Sequence, residues 1–174
     1  PGKLNIGTIA VGGTQNLGAE LLKSVADINV VIVPYKTSPD IVVALLRNDV
    51  HMLVEFPPSV KGQVASGDLR ILASSSPTRS KLMPNVQTVK EAGVAGYEVT
   101  SWNGVFAPKD TPKEAIETMR KAMAEVLADP AVIEQFAKVG VEAHASDAAE
   151  LEKRLKDDIK KWDAVIIKAG IPKK

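Results

Sequence analysis

A glycine turn near the start of the chain carries the residues best suited to binding chemistry. Gly12 and Gly13 end an apolar run and are followed at once by Thr14, Gln15 and Asn16. Glycine allows a sharp turn and a close approach of the backbone to a ligand. A helix that begins here leaves its first main-chain N–H groups unpaired, at the positive end of its dipole. The pattern predicts a receptor for a small anion, and we expect a carboxylate.

Two later loops carry polar side chains that could complete this site. Thr37 and Ser38 lie at a second predicted helix start, where hydroxyls, N–H groups and the dipole favour an anion. Tyr35 and Lys36 could contact a carboxylate, or could be a packed aromatic beside a solvated lysine. Glu55 would repel an anion, so we expect it to brace a hinge or hold a water. A third alternative is that it binds an amino group of the ligand.

Four short apolar segments predict the strands of a parallel sheet, at residues 4–10, 28–33, 51–55 and 69–74. The second is β-branched at almost every position, which favours a central strand buried on both faces. Helical segments alternate with these strands and indicate an α/β lobe. Because ligands bind at the carboxyl ends of strands in an open parallel sheet, the three polar loops should converge at one edge.

Capping signals locate the helix starts. Thr14 is predicted to cap the first helix, and Ser38, with Pro39 behind it, to cap the second. The spacings Thr88-x-x-Glu91 and Thr111-x-x-Glu114 are capping boxes, which predict a short helix and a longer one. After about residue 96 the pattern becomes mainly helical, and we expect a lobe boundary there.

Composition narrows the classes of function. Lys and Arg number 22 and Asp and Glu 21, for a net charge of +1, so nucleic-acid binding is not supported. The chain has no cysteine, which excludes disulfides and thiolate metal sites. Its two histidines lack metal-ligand spacing, and no catalytic constellation is evident. These residues therefore predict neither a metal site nor a bound cofactor.

The order of longer motifs resembles one known family. These motifs are VPYKTSPD, NDVHMLVEFPPSV, LRILASSSPTRSKLMPNVQTVKEAGVAGYEVTSWNGVFAPKDTP and KKWDAVIIKAGI. In this order and spacing they are similar to the periplasmic solute-binding proteins of tripartite tricarboxylate transporters, the Bug or TctC family. The resemblance runs over nearly all 174 residues.

The resemblance implies a periplasmic-binding-protein-like α/β fold of type II, the Venus flytrap. Residues 1–96 would form one complete parallel α/β lobe, and residues 97–174 the C-terminal part of the other, because the family's N-terminal segment is not in this sequence. Such proteins hold a small organic acid (a dicarboxylate, tricarboxylate or similar) in an interlobe cleft. They deliver it to membrane transporter subunits from the periplasm and catalyse no reaction, so the resemblance implies that this protein is not an enzyme. A shortened chain without a signal peptide could also associate with itself.

The resemblance and the loop chemistry together predict the ligand-binding residues. They are Gly12, Gly13, Thr14, Gln15, Asn16, Tyr35, Thr37, Ser38 and Glu55. Several depart from the family pattern: Asn16 stands where His is frequent, Thr37 where Gly is usual, and Glu55 where Asp is frequent.

Two other classes of function stay open. An α/β enzyme acting on a small phosphorylated or carboxylated metabolite could use the same glycine loop. It would need a general base, for which the sequence offers only Glu55 and His51. The effector-sensing lobe of a regulator is a third possibility, although no helix-turn-helix segment is present.

Overall fold

The computed structural model describes residues 2–172 and forms three strands and six helices among them. In chain order they are β1 (Asn5–Thr8), α1 (Thr14–Val25), β2 (Val31–Pro34), α2 (Ser38–Leu46), β3 (Met52–Leu53), α3 (Pro57–Ser66), α4 (Lys113–Ala128), α5 (Pro130–Lys138) and α6 (Ala148–Ala169). None of the helices in the described range is long and apolar enough to cross a membrane.

The sheet is parallel and has the order β2-β1-β3, so β1 is the central strand. Ile6 of β1 pairs with Ile32 on one side and with Met52 on the other. The prediction that residues 28–33 form a central strand is wrong. This segment becomes β2, which is an edge strand of the sheet in the described residues, and its Val31 is 54% exposed rather than buried.

The segment predicted as a fourth strand, residues 69–74, forms no strand in the described structure. Only Ser74 pairs there, in an isolated parallel bridge with Thr88. The predicted capping box does form: the Thr88 main-chain N–H donates to Glu91 Oε2 (2.7 Å), and the Glu91 N–H donates to Thr88 Oγ1 (3.0 Å). These bonds close a series of turns rather than the predicted short helix.

The helix predicted from the second capping box begins without that box. Helix α4 starts at Lys113 with Pro112 as its N-cap, and no side-chain hydrogen bond caps it. Thr111 therefore lies one residue too early to cap the helix. A proline at the cap position has no N–H that could donate the reciprocal bond of a capping box.

Among the described residues, three apolar clusters form the core around the sheet. Helix α2 packs closely on β1 because Gly7 has no side chain: a Cβ there would lie 2.5 Å from Ile41 Cγ2. Helix α1 packs against Tyr97, and burial raises the pKa of this tyrosine to about 12. The buried members of the clusters are Leu17, Leu21, Tyr97, Val99 and Val165; Ile6, Ala19 and Val30; and Ile41, Ala44 and Val50.

The chain divides into two compact units. One comprises the residues up to Ser101 together with those from Lys161 onward, and the other is Trp102–Lys160. The second unit contains α4 and α5, in which no residue is fully buried, and Trp102 Nε1 donates a hydrogen bond to Asp158 Oδ2 at 2.6 Å. The assignment of residues 1–96 and 97–174 to two lobes stays a prediction.

Candidate ligand-binding site

The carboxylate of Glu55 joins the three loops that follow the three strands. Its Oε1 accepts hydrogen bonds from Gln15 Nε2 at 3.2 Å and from the Phe56 main-chain N–H at 2.8 Å. Its Oε2 accepts one from Ser38 Oγ at 2.5 Å. Gln15 follows β1, Ser38 follows β2, and Glu55 follows β3. The structure therefore brings together one predicted site residue from each loop.

The glycine turn after β1 is closed by its own hydrogen bonds. Gly12 has a φ of +83°, in the left-handed region that favours glycine, and its N–H donates to Asn16 Oδ1 at 3.0 Å. The Gly13 N–H donates to the Ala10 carbonyl at 3.0 Å. Asn16 is only 3% exposed, and its Nδ2 donates to Thr8 Oγ1 at 3.3 Å. The amide of Asn16 thus ties the turn to the central strand, and both glycine N–H groups have internal partners.

The first main-chain N–H groups of α1 have no hydrogen-bond partner within the helix. Gly13 is the N-cap, with φ −74° and ψ 163°, and no side-chain hydrogen bond caps the helix. The first bond within the helix runs from the Leu17 N–H to the Gly13 carbonyl at 2.9 Å. The N–H groups of Thr14, Gln15 and Asn16 precede it, and no acidic residue lies in the first turn. No acidic residue of α1 itself offsets the positive end of the dipole here, and the nearby carboxylate of Glu55 accepts from the Gln15 side chain rather than from these N–H groups.

The prediction that Thr14 caps α1 is wrong. Thr14 is the first residue with helical geometry, and the extended residue before it, Gly13, occupies the cap position. A capping side chain must belong to that extended residue to reach the N–H groups of the next turn. Because glycine has no side chain, the helix start is left open.

A side chain caps the start of α2, whereas no side chain caps the start of α1. Thr37, rather than the predicted Ser38, is the N-cap, and its Oγ1 accepts a hydrogen bond from the Asp40 N–H at 3.4 Å. The Thr37 hydroxyl in turn donates to Asp40 Oδ2 at 2.8 Å. Asp40 places a carboxylate in the first turn, where it offsets the positive end of the dipole.

The start of α3 also has few N–H groups to offer. Phe56 is the N-cap, and Pro57 and Pro58, which have no N–H, follow it. The Phe56 N–H is bonded to Glu55. Of the three helix starts at this edge of the sheet, that of α1 is therefore the most open to an anion.

Tyr35 is packed on the core, and Lys36 is exposed. The Tyr35 N–H donates to the Thr8 carbonyl at 2.7 Å and extends the pairing of β2 with β1. Its partly buried ring packs on the cluster that contains Ile41. A ligand contact by Tyr35 stays a prediction, as does the ligand-binding role of the other predicted site residues.

Two participants in the site were not among the predicted residues. Thr8 is fully buried and receives the Asn16 amide, and Phe56 supplies a main-chain donor to Glu55. A threonine inside an apolar strand was the only available signal for Thr8. No side-chain pattern could have indicated Phe56, because its contribution is a main-chain N–H.

The histidines have structural contacts in the described chain. His51 Nδ1 accepts a hydrogen bond from the Asn5 N–H at 3.1 Å. His144 Nε2 lies 3.0 Å from Glu150 Oε1, so this histidine does have a carboxylate partner, which the sequence had not indicated. Among residues 2–172, no group of three or more His, Asp or Glu residues is arranged to hold a metal ion.

An open hollow of about 440 Å³ lies along α4 in the second unit. It is lined by Pro112 and by residues of that single helix, among them Ala115 and Met119. A ligand site needs polar groups that converge from several elements. The surface of one helix does not provide them, so we place the candidate site at the glycine turn.

Comparison with known proteins identifies relatives of about twice this length. Protein BugT of Bordetella pertussis is 33% identical over 172 residues, which are 98% of this chain and 52% of that protein. A UPF0065 protein from the tcbD-tcbE intergenic region of Pseudomonas sp. strain P51 is 30% identical over 96% of this chain and 50% of its own length. The chain therefore spans about half the length of these curated relatives.

Solved structures share the fold. The structure titled "R. palustris Rpa4515 with adipate" is 29% identical and has a TM-score of 0.79, over 98% of this chain and 57% of that one. The periplasmic binding protein BugD is 27% identical with a TM-score of 0.73, over 99% and 58%. The predicted fold class, an α/β fold of the periplasmic-binding-protein type, is confirmed. The BugD description names a binding protein, which agrees at the family level with the expectation of a non-enzyme.

The family expected from the motif order is confirmed over almost the whole sequence. The profile described as "Tripartite tricarboxylate transporter family receptor" matches residues 1–171. The chain belongs to this family, the TctC family.

Proposed function

We propose that this chain is a periplasmic solute-binding protein, or part of one, that captures a small organic carboxylate at the start of α1. It would deliver this ligand to a tripartite tricarboxylate-type membrane transporter. The observation that carries the proposal is the open first turn of α1, at the carboxyl end of the central strand. Membership of a family of transporter receptors supports a binding role for that turn.

The chemistry of the turn suits a carboxylate. The N–H groups of Thr14, Gln15 and Asn16 lie ahead of the first hydrogen bond within the helix, at its positive end. A hydrogen bond to a charged group contributes about 1.5–3 kcal/mol. Two or three such bonds, with the ligand's apolar contacts and less the cost of ordering, approach the ~8 kcal/mol of a micromolar complex.

The solved relative with adipate supports the class of ligand. Adipate is a dicarboxylate, and the protein in that structure is 29% identical to this chain. We therefore expect small di- or tricarboxylates, and related acids, among the ligands of this chain.

The hydrogen bonds at the site do not favour the enzyme alternative. A general base needs a free lone pair directed at the substrate. Glu55 already accepts three hydrogen bonds, and His51 Nδ1 accepts one from the main chain. The lone pair of His51 Nδ1 is therefore occupied, and three of the four acceptor positions of Glu55 are used within the protein, so these bonds give both residues structural roles.

Native mass spectrometry of the purified chain, followed by titration calorimetry, tests the proposal. We expect a small acid carried through purification, and saturable binding of at least one acid from a panel that includes adipate, succinate, L-malate, L-aspartate and citrate. The same spectra report any dimer. Absence of binding by every acid in the panel, from a chain shown to be folded by circular dichroism, would contradict the proposal.

A further inference from the structure

We infer that Glu55 is a specificity-determining residue, which selects carboxylates that carry a hydroxyl or ammonium group over plain dicarboxylates. The inference rests on the proposed function, because it concerns the ligand of the same site. It is carried by the hydrogen bonds and the charge of one half-buried side chain.

Glu55 keeps one hydrogen-bond acceptor position that no group of the described residues fills. A carboxylate offers about four acceptor positions, two on each oxygen. Two donors, Gln15 Nε2 and the Phe56 N–H, occupy Oε1, and one donor, Ser38 Oγ, occupies Oε2. One acceptor position on Oε2 is left. A ligand group that fills it must donate a hydrogen bond.

The donors around Glu55 do not neutralise its negative charge. In the part of the chain that the structure describes, no lysine, arginine or histidine forms an ion pair with Glu55. Its donors are an amide, a hydroxyl and a main-chain N–H, all of them neutral. The negative charge at this junction is therefore not balanced by a cation. A second ligand carboxylate placed beside it would be repelled, whereas an ammonium or hydroxyl group would be attracted.

Glu55 lies close to the first turn of α1. Gln15 lies in the first turn of α1, and its side chain, only 6% exposed, reaches Glu55 directly. The Glu55 carboxylate is thus one side chain away from the N–H groups proposed to hold the ligand carboxylate. A ligand that reaches both groups needs a hydrogen-bond donor on a carbon close to its carboxylate. 2-Hydroxy and 2-amino acids carry such a donor.

Three probes with the same four-carbon skeleton test the inference: succinate, L-malate and L-aspartate. Malate adds a hydroxyl to succinate, and aspartate adds an ammonium group. Titration calorimetry should show malate or aspartate binding at least about tenfold more tightly than succinate, the size expected for one hydrogen bond to a charged group.

Glu55→Gln is the matched variant. It keeps the shape of the side chain, and its amide can still accept from Gln15 and Phe56 while it donates to the Ser38 hydroxyl oxygen. It removes the charge and directs an N–H to the side where the free acceptor position was. We expect the preference over succinate to fall to about threefold or less, with succinate bound as tightly as before or more tightly. Glu98→Gln, at an exposed position of the same unit, is the control and should keep the wild-type preference.

The outcomes separate the two claims. Equal affinity of the wild-type chain for all three probes, or an undiminished preference in Glu55→Gln, would overturn the inference while the proposed function stands. Failure of the folded wild-type chain to bind any acid would overturn the proposed function and the inference with it.

Discussion

Replacing Thr14 with proline would remove one main-chain N–H from the open turn of α1 and leave the helix in place. Thr14 is the first helical residue, where proline's fixed φ is suitable and its missing N–H breaks no bond within the helix. Gly13 before it is extended, with φ −74° and ψ 163°, the conformation that a residue preceding proline prefers. The change is therefore a nearly pure deletion of one donor.

The size of the effect follows from the bond that is lost. One hydrogen bond to a carboxylate is worth about 1.5–3 kcal/mol, so affinity should fall roughly 10- to 150-fold. The free energy of unfolding should change by less than about 1 kcal/mol, because proline at a compatible position also reduces the entropy of the unfolded chain. Titration calorimetry with the tightest acid of the panel measures the first quantity, and urea denaturation measures the second.

Thr14→Ala is the control for this substitution, because it removes the threonine hydroxyl and methyl groups but keeps the N–H. Its affinity should stay within about threefold of the wild type, less than the loss of one such bond. Wild-type affinity in a folded Thr14→Pro variant would refute the reasoning. An equal loss in Thr14→Ala would also refute it, since the side chain would then be responsible.

Three further predictions concern stability. Gly7→Ala should lower the free energy of unfolding by about 1–3 kcal/mol, because the added Cβ would lie 2.5 Å from Ile41 Cγ2. Asn16→Ala should cost about 1–3 kcal/mol, because it leaves the buried Thr8 hydroxyl and the Gly12 N–H without this partner; urea denaturation measures both. The hydrogen bond from the Thr88 main chain, with help from a neighbouring arginine, lowers the pKa of Glu91 below its usual 4.5. Its contribution to stability is therefore present above pH 4.5 and lost as the pH falls through the lowered pKa; melting curves should show a weaker acid dependence in Glu91→Gln.

Each of these expectations has an outcome that would contradict it. Unchanged stability of Gly7→Ala would mean that α2 can move away from β1 at no cost. Unchanged stability of Asn16→Ala would mean that water replaces its amide. An acid dependence in Glu91→Gln equal to that of the wild type would mean that the Thr88 turn does not contribute to the pH response.

Local periodicity was sufficient to predict most of the first unit. The predicted strands at residues 4–10, 28–33 and 51–55 overlap β1, β2 and β3, and a helix follows the glycine turn as expected. These features depend on apolar spacing and on glycine, which act over a few residues. The position of a strand within the sheet depends on long-range pairing, and the central place expected for residues 28–33 was accordingly wrong.

The helix caps show a second limit of local patterns. The assigned caps, Thr14 and Ser38, were each displaced by one residue, to Gly13 and Thr37. Both candidates in each pair suit a cap by residue type, and the choice depends on which one has extended backbone angles. For α2, the spacing from Thr37 to Asp40 held a signal, because a threonine and an acidic residue three positions later form a capping-box pattern.

The role of Glu55 illustrates what the sequence could not provide. The expected convergence of three loops placed it near the site, but its hydrogen bonds to Gln15, Ser38 and Phe56 join elements up to 40 residues apart. The register of three strands and the side-chain torsions decide such contacts. The loops were therefore predictable as a group, and the connection through one carboxylate was not.

Amide NMR of the ¹⁵N-labelled chain during titration with the best-bound acid tests the central claim most directly. The account predicts that the amide protons of Thr14, Gln15 and Asn16 shift downfield with a common saturation curve, as expected for N–H groups that donate to a carboxylate. If saturable binding left these three amides unshifted, and the largest shifts lay elsewhere in the chain, the start of α1 would not be the carboxylate receptor.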